Sequence, residues 1–258
     1  MYLEKLRLDG RVAVVTGAGQ GIGAASARAL GEAGATVIVT DLLPARVDAV
    51  VAELRADGIA AHGMTLDVTD SAAVDRVAAA ILKAHGPAAI LVNNAGIAKS
   101  NVKAEDTSDD HWRLHMDINL DGVFWCCRAF GRQMLDAGRG AIVNIGSISG
   151  FISMNPQPQA FYNASKAAVH HLTTSLAAEW AKRGVRVNAV APTYIETPLT
   201  AFGMRENPEM LKTWLAMTPM GRVGQPDEIA SVVHFLASDA SSLMTGAVVV
   251  ADAGYLCW

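Results

Sequence analysis

The sequence predicts a single-domain α/β fold over residues 1–258: a doubly wound parallel sheet of about seven strands with helices on both faces. Three observations carry that expectation. Short β-branched runs alternate with longer Ala-rich segments of helical period. The runs are apolar at consecutive positions, as in VAVV and VIV, which suits strands covered on both faces better than half-exposed ones. A chain of 258 residues, 51% of them hydrophobic, can bury a large core as one unit.

In order, RVAVVT reads as the first strand and residues 22–33 as the helix that follows it. TVIVTD precedes a helix over 44–57, AHGMTLDV one over 70–85, and AAILVNN a long one over about 109–137. GAIVNIGS leads into a helix over about 161–183, VRVNAVAP follows, and GAVVVAD is the last strand. Between these lies a long irregular stretch, residues 192–208, broken by three prolines and a glycine. A loop of that length in a compact domain reads as a substrate-covering segment.

Composition narrows the function classes. The formal net charge is −4, with no Lys/Arg cluster to track a phosphate backbone, so no nucleic-acid partner is expected. The start, MYLEKLRLDGR, is polar where a signal peptide needs an apolar core, and no apolar run approaches a membrane span. A soluble cytoplasmic protein with no membrane partner is expected. Cys126, Cys127 and Cys257 are odd in number and include an adjacent pair, so they read as reduced thiols; with no third Cys or His at ligand spacing, no metal site is expected.

The first strand runs into TGAGQGIG, residues 16–23, directly before a helix. Glycines there let the chain turn tightly and bring backbone N–H groups against a pyrophosphate at the positive end of the helix. Asp41 ends the second strand, where a carboxylate accepts hydrogen bonds from an adenosine ribose. The same charge opposes a 2′-phosphate, and neither the glycine turn nor Leu42 and Leu43 supplies a cation to offset it, so the expected cofactor is NAD.

Tyr162 and Lys166 stand four apart in FYNASKAAVHHL and so share a helix face. An ammonium beside a phenol favours the phenolate, which lowers a pKa ordinarily near 10 and makes Tyr162 an acid or base for neutral pH. The spacing T-G-x-x-x-G-x-G, followed by NNAG at 93–96 and YNASK at 162–166, resembles the short-chain dehydrogenase/reductase family, of its smaller type, over essentially the entire chain. The resemblance implies a Rossmann fold and a catalytic tetrad of Asn119, Ser147, Tyr162 and Lys166. Tyr162 is then the general base in oxidation and acid in reduction. Lys166 supports the phenolate and the nicotinamide ribose, Ser147 bonds the reacting oxygen, and Asn119 orders a backbone carbonyl and a proton path, its rival role being to stabilise a helix kink.

The resemblance also carries cofactor contacts over by position: Gly17, Gln20, Gly21, Ile22 and Gly23 at the turn; Asp67 and Val68 beside adenine; Asn93, Asn94, Ala95 and Gly96 under the ribose; and Tyr162, Lys166, Pro192, Ile195 and Thr197 near the nicotinamide. Two departures stand out. Thr193 follows the proline where the family usually has Gly, and two extra residues separate Ser147 from Tyr162, which makes Ser149 a rival for the catalytic serine. The inserted loop then overhangs the substrate. Ser149, Asn155, Gln157 and Thr193 are candidate substrate contacts, with Gln159 and Glu196 nearby, while His170 and His171 read as packing residues. Within the family the chain is most similar to bacterial polyol dehydrogenases acting on sorbitol or galactitol, through words such as GVFWCCRAFGRQML. The expected reaction is NAD-dependent oxidation of a sugar alcohol to a ketose by a homotetramer paired through its two long helices. The alternatives are a 3-oxoacyl thioester reductase, against which Asp41 argues, and a non-catalytic nucleotide sensor, against which the complete tetrad argues.

Overall fold

The computed structural model covers residues 1–258, with the side chains of residues 202, 203, 205 and 206 outside the described residues. One sheet runs through the molecule: β1 (Val12–Val15), β2 (Thr36–Asp41), β3 (Ala61–Thr65), β4 (Ala88–Asn93), β5 (Gly140–Ile145), β6 (Val185–Pro192) and β7 (Val248–Ala251). Their order is β3-β2-β1-β4-β5-β6-β7, and every pairing is parallel. The consecutive apolar positions are explained by the two faces. In β1, Ala13 and Val15 enter one core and Val12 and Val14 the other. The first core is closed by α1 (Gly21–Glu32), α2 (Pro44–Ala56) and α9 (Pro226–Ala237). The second is closed by α3 (Ser71–His85), α5 (Gly122–Asp136) and α6 (Ala160–Trp180). Cys126 and Cys127 are buried in that second core, where desolvation pushes the Cys127 thiol up to about 12 and raises Cys126 as well, so both are inert thiols.

Two expectations are corrected. The helix expected over 109–137 is α4 (Asp109–Met116) and α5 joined by one π turn, Asp117–Asp121, with Asn119 at its centre. A single widened turn of this kind re-aims side chains without ending the helix. The stretch 192–208 is not one irregular loop. After the end of β6 it forms α7 (Pro198–Glu206), and α8 (Pro208–Ala216) continues beyond it. The prolines start these helices rather than break them, because a first-turn residue needs no donor. Thr197 N donates to Thr200 Oγ1 at 3.1 Å, and Asn207 Oδ1 accepts from Met210 N at 3.1 Å, so each proline follows a capping residue.

Sheet connections reverse direction between β1 and β4, and ligands of such sheets bind beyond the strand C-termini at that switch point. A third, smaller core of Ile148, Tyr194, Met210, Trp214 and Tyr255 roofs the neighbouring region over β5 and β6.

Candidate active site

The crevice at the switch point follows from the glycine turn. Gly17 and Gly21 have φ of +61° and +56°, a region that glycine enters without strain. Gly23 has no room for a side chain, since a Cβ would lie 2.4 Å from both Asn94 Nδ2 and Gly17 O. Thr16 explains why NNAG must follow a T-G turn: its Oγ1 accepts from Asn94 N and Ala95 N, each at 3.1 Å. Asn94 Nδ2 in turn donates to Thr16 O and Gly17 O at 3.0 and 2.9 Å. These bonds lock the end of β4 to the end of β1 and leave a channel of about 280 Å³ between them.

That channel is lined by Gly17, Gln20, Gly21, Ile22, Asp41, Asp67, Val68, Asn94, Ala95, Gly96 and Thr197, as the sequence predicts. No side chain caps the N-terminus of α1, so its first N–H groups face the channel with the helix dipole behind them. Asp41 is 8% exposed; its carboxylate accepts from Gly19 N and Leu43 N, both at 3.1 Å, which leaves lone pairs for a ribose diol. A dinucleotide fits these groups. Two predicted members stand apart: Gly23 packs the turn, and Asn93 is buried, donating to Asn144 Oδ1 at 2.8 Å and to Cys127 Sγ at 3.2 Å. Arg46, on the first turn of α2, lines the channel beside Asp41, a cation that the adjacent-residue reading passed over.

The channel opens into a cavity of about 410 Å³ above β5 and β6, within the usual range of small-molecule sites. Ser147, Tyr162 and Lys166 converge there. Lys166 is 6% exposed and donates to Ile145 O at 2.8 Å, and its Nζ lies 5.7 Å from the centre of the Tyr162 ring. Burial lowers Lys166 to about 8. Burial also raises Tyr162 above its ordinary value, opposed by the neighbouring Ser147 hydroxyl, so the expected net depression is corrected. Desolvation of the phenol is the largest influence on it, and the Lys166 ammonium is engaged with the Ile145 carbonyl.

Of the two rival serines, Ser147 is the one whose hydroxyl favours the Tyr162 phenolate against burial. Its Oγ accepts from Ser149 N at 3.1 Å, which leaves the hydroxyl proton free to donate into the cavity. His170 supports this turn from below. Its ring fills the space that a Cβ on Gly146 or Gly150 would enter, packs at a 40° tilt against Phe151 with centroids 4.5 Å apart, and accepts from Ser147 N at 3.4 Å. Burial, with Lys166 nearby, lowers His170 to about 4, so it is a neutral support. Asn119 lies outside the cavity wall. Its amide pairs with both Ile97 N (2.8 Å) and Ile97 O (3.0 Å) and reaches Ser165 Oγ at 3.2 Å, holding the segment that follows NNAG.

Pro192, Thr193, Ile195, Thr197, Ser149 and Gln157 also line the cavity. Asn155 does not: it is exposed, with its amide 3.7 Å from Met217 Sδ. Gln157 has both ends of its carboxamide engaged, donating to Tyr194 OH at 2.9 Å and accepting from Trp214 Nε1 at 3.1 Å. Tyr194 stacks on Trp214 with centroids 3.8 Å apart, so the three side chains clamp the inserted loop to α8. Tyr194, Trp214, Lys99, Ser100 and Asn101 are wall residues that sequence reasoning missed. Lys99 to Asn101 carry a weak signal, since they follow NNAG after Ile97 and Ala98; Trp214 carries none, because only the packing of α8 brings it there.

A Gly-rich channel ending in a Ser-Tyr-Lys group defines a nucleotide-dependent oxidoreductase. The chain belongs to the short-chain dehydrogenase/reductase family: a family model described as enoyl-(acyl carrier protein) reductase matches residues 17–256. It is 56% identical to a galactitol 2-dehydrogenase of Rhizobium johnstonii and 52% identical to an L-tagatose-forming galactitol 2-dehydrogenase of Cereibacter sphaeroides, in each case over 100% of this chain and 99% of the other. Among solved structures it resembles a gluconate 5-dehydrogenase from Burkholderia cenocepacia in complex with NADP and tartrate, at a TM-score of 0.95 and 36% identity with both chains covered in full.

Proposed function

We propose that this protein oxidises a secondary hydroxyl of a sugar alcohol, galactitol-like, to a ketose with NAD as preferred cofactor, and runs the reverse reduction. The observation that carries the reading is the cavity around Ser147, Tyr162 and Lys166, whose wall includes the hydroxyl and amide groups of Ser100, Ser149, Gln159 and Thr193, in a chain 52–56% identical over full length to two galactitol 2-dehydrogenases. When bound, NAD supplies the hydride acceptor. The chain's own residues manage the oxygen: Tyr162 takes the hydroxyl proton in oxidation and returns it in reduction, and Ser147 donates to the oxygen as it gains charge. Lys166 keeps a positive charge near the phenol below pH of about 8. Asp41 is the ground for preferring NAD, through its free lone pairs and its repulsion of a 2′-phosphate. Arg46 in the same channel softens that preference.

The test is a panel of hexitols, pentitols, 2-butanol and an acetoacetyl thioester, each with the NAD and NADP couples. The expected result is highest kcat/KM on a hexitol or pentitol with NAD, a ketose product, and a narrowed cofactor ratio in Asp41→Ala. Higher efficiency on 2-butanol or the thioester than on every polyol overturns the substrate, and equal efficiency with NADP overturns the cofactor preference.

A further inference from the structure

Gln159 is 5% exposed and stands just before α6, yet its side chain does not cap that helix. Its Oε1 accepts from Ser100 Oγ at 2.6 Å, while Nε2 donates to Ser149 Oγ at 3.3 Å and to Asn163 Oδ1 at 3.0 Å. An amide nitrogen only donates and an amide oxygen only accepts, so these contacts set the direction of the hydroxyls beside them. Ser100 has given its one proton to Gln159 and offers the cavity only lone pairs. Ser149 has accepted from Gln159 and keeps its proton to donate. Both hydroxyls line the cavity that holds Tyr162. Thr193 lines it too, and its Oγ1 is buried with no hydrogen-bond partner among the described residues. A hydroxyl withdrawn from water and left unpaired is costly unless a ligand completes it.

We infer that Ser100, Ser149 and Thr193, with Gln159 as their positioning residue, form a recognition site for substrate hydroxyls other than the one that reacts. The site takes a compound with at least two hydroxyls in one chain, because each substrate hydroxyl both donates and accepts and matches a wall that presents a donor, an acceptor and an uncommitted hydroxyl. A simple secondary alcohol leaves those groups unpaired. This inference rests on the polyol reading and adds which residues read the extra hydroxyls. Thr193, at a position where the family usually has Gly, is then a specificity residue.

The experiment compares kcat/KM for galactitol or sorbitol with that for 2-butanol, at saturating NAD, in the unmutated enzyme and in Thr193→Val, Thr193→Ser, Gln159→Leu and Gln159→Glu. Thr193→Val keeps the shape and removes the hydroxyl, and lowers the hexitol-to-butanol ratio roughly tenfold, mainly through hexitol KM, as the loss of one hydrogen bond with a buried partner predicts. Thr193→Ser restores most of the ratio. Gln159→Glu replaces a donor with an acceptor, which turns the Ser149 proton away from the cavity, and lowers the ratio at least as much as Gln159→Leu. NAD affinity, followed by fluorescence, reports whether each variant retains its fold. An unchanged ratio in Thr193→Val and Gln159→Glu, with the unmutated enzyme preferring hexitols, overturns the inference and leaves the polyol reading standing. No hexitol turnover by the unmutated enzyme overturns both.

Discussion

The channel between β1 and β4 and the cavity over β5 and β6 share Ile22, Asn94, Gly96, Ile97, Thr197 and Leu199, yet their outer walls are made of different material. The channel is shaped by backbone: two glycines in the left-handed region, a third with no space for a Cβ, and main-chain bonds from Asn94 and Ala95 to Thr16. The far wall of the cavity is shaped by side chains from segments that meet only in the fold: Gln157, Gln159, Tyr194 and Trp214. A backbone-built site tolerates one kind of ligand and little sequence change. A side-chain-built site keeps its frame while its specificity changes, which is what a family sharing one cofactor chemistry across many substrates requires.

Variants that act on one side only test that division, and the largest effect falls where the two sides join. Tyr162→Phe removes the proton acceptor and is expected to lower kcat by 10² to 10⁴-fold or more, by analogy with general acid–base catalysis, while NAD affinity stays near that of the unmutated protein. Near-full turnover would remove Tyr162 from the chemistry. The pH dependence sharpens the same point. Burial favours the neutral phenol, so oxidation is expected to speed up as pH rises from neutral and reduction to run better on the neutral side. Lys166→Met deletes the cation 5.7 Å from the ring and is expected to move the rise in oxidation to higher pH, read from kcat/KM profiles. An unmoved profile would leave Lys166 as a support for the Ile145 carbonyl alone.

A smaller effect is expected in the channel. Gly23→Ala forces a Cβ to within 2.4 Å of Asn94 Nδ2 and Gly17 O, and because one of these is backbone the turn itself must shift. NAD affinity should fall by tenfold or more and the melting temperature should drop, measured by titration and calorimetry. Unchanged affinity would show the turn to be more pliant than its packing implies. The smallest effect is expected at the clamp. Gln157→Leu leaves Tyr194 OH and Trp214 Nε1 without their partner, and should raise polyol KM several-fold through a displaced α8, at about one lost hydrogen bond's free energy of roughly 1 kcal/mol per site. NAD KM should stay put. Equal shifts in both KM values would dissolve the distinction between the two regions.

The channel was largely legible in the sequence because its determinants are short-range. TGAGQGIG sits in one turn, Asp41 ends the next strand, and NNAG ends β4 beside it, so motif spacing and strand order sufficed. Tyr162 and Lys166 were legible for the same reason, lying on one face of one helix, while Ser147 was legible through the family resemblance of the words around it. The misreadings lie where several segments compete. Prolines 198 and 208 looked like loop residues because their role depends on whether a helix begins there, which proline composition does not reveal. Gln157 reads in the sequence as an open candidate contact; it lines the cavity, but its carboxamide is held by Tyr194 and by Trp214, 57 residues later. Asn119 is expected from the sequence to order a backbone carbonyl or to stabilise a helix kink, and it does order the Ile97 carbonyl from a π turn, but that the same amide also accepts from Ile97 N depends on the fold. The pKa of Tyr162 was misjudged because the i, i+4 spacing carries the charge of Lys166 but not the desolvation of either group.

Apart from the role of Ser147, which came through the family resemblance, the sequence by itself determined the alternation of strand and helix, the parallel sheet, the glycine turn with its acid, and the pairing of Tyr162 and Lys166 on one helix face. All of these follow from steric and hydrogen-bonding preferences acting over a few residues. Only the tertiary structure decided which polar groups are already partnered and which face the cavity unpaired. That choice separates Gln157, fully engaged between Tyr194 and Trp214, from Thr193, whose hydroxyl has no partner among the described residues. The physical reason is that hydrogen-bond satisfaction is a property of what packs against a group, and the neighbours in this cavity arrive from segments whose meeting depends on the docking of α8 and the inserted loop over the sheet.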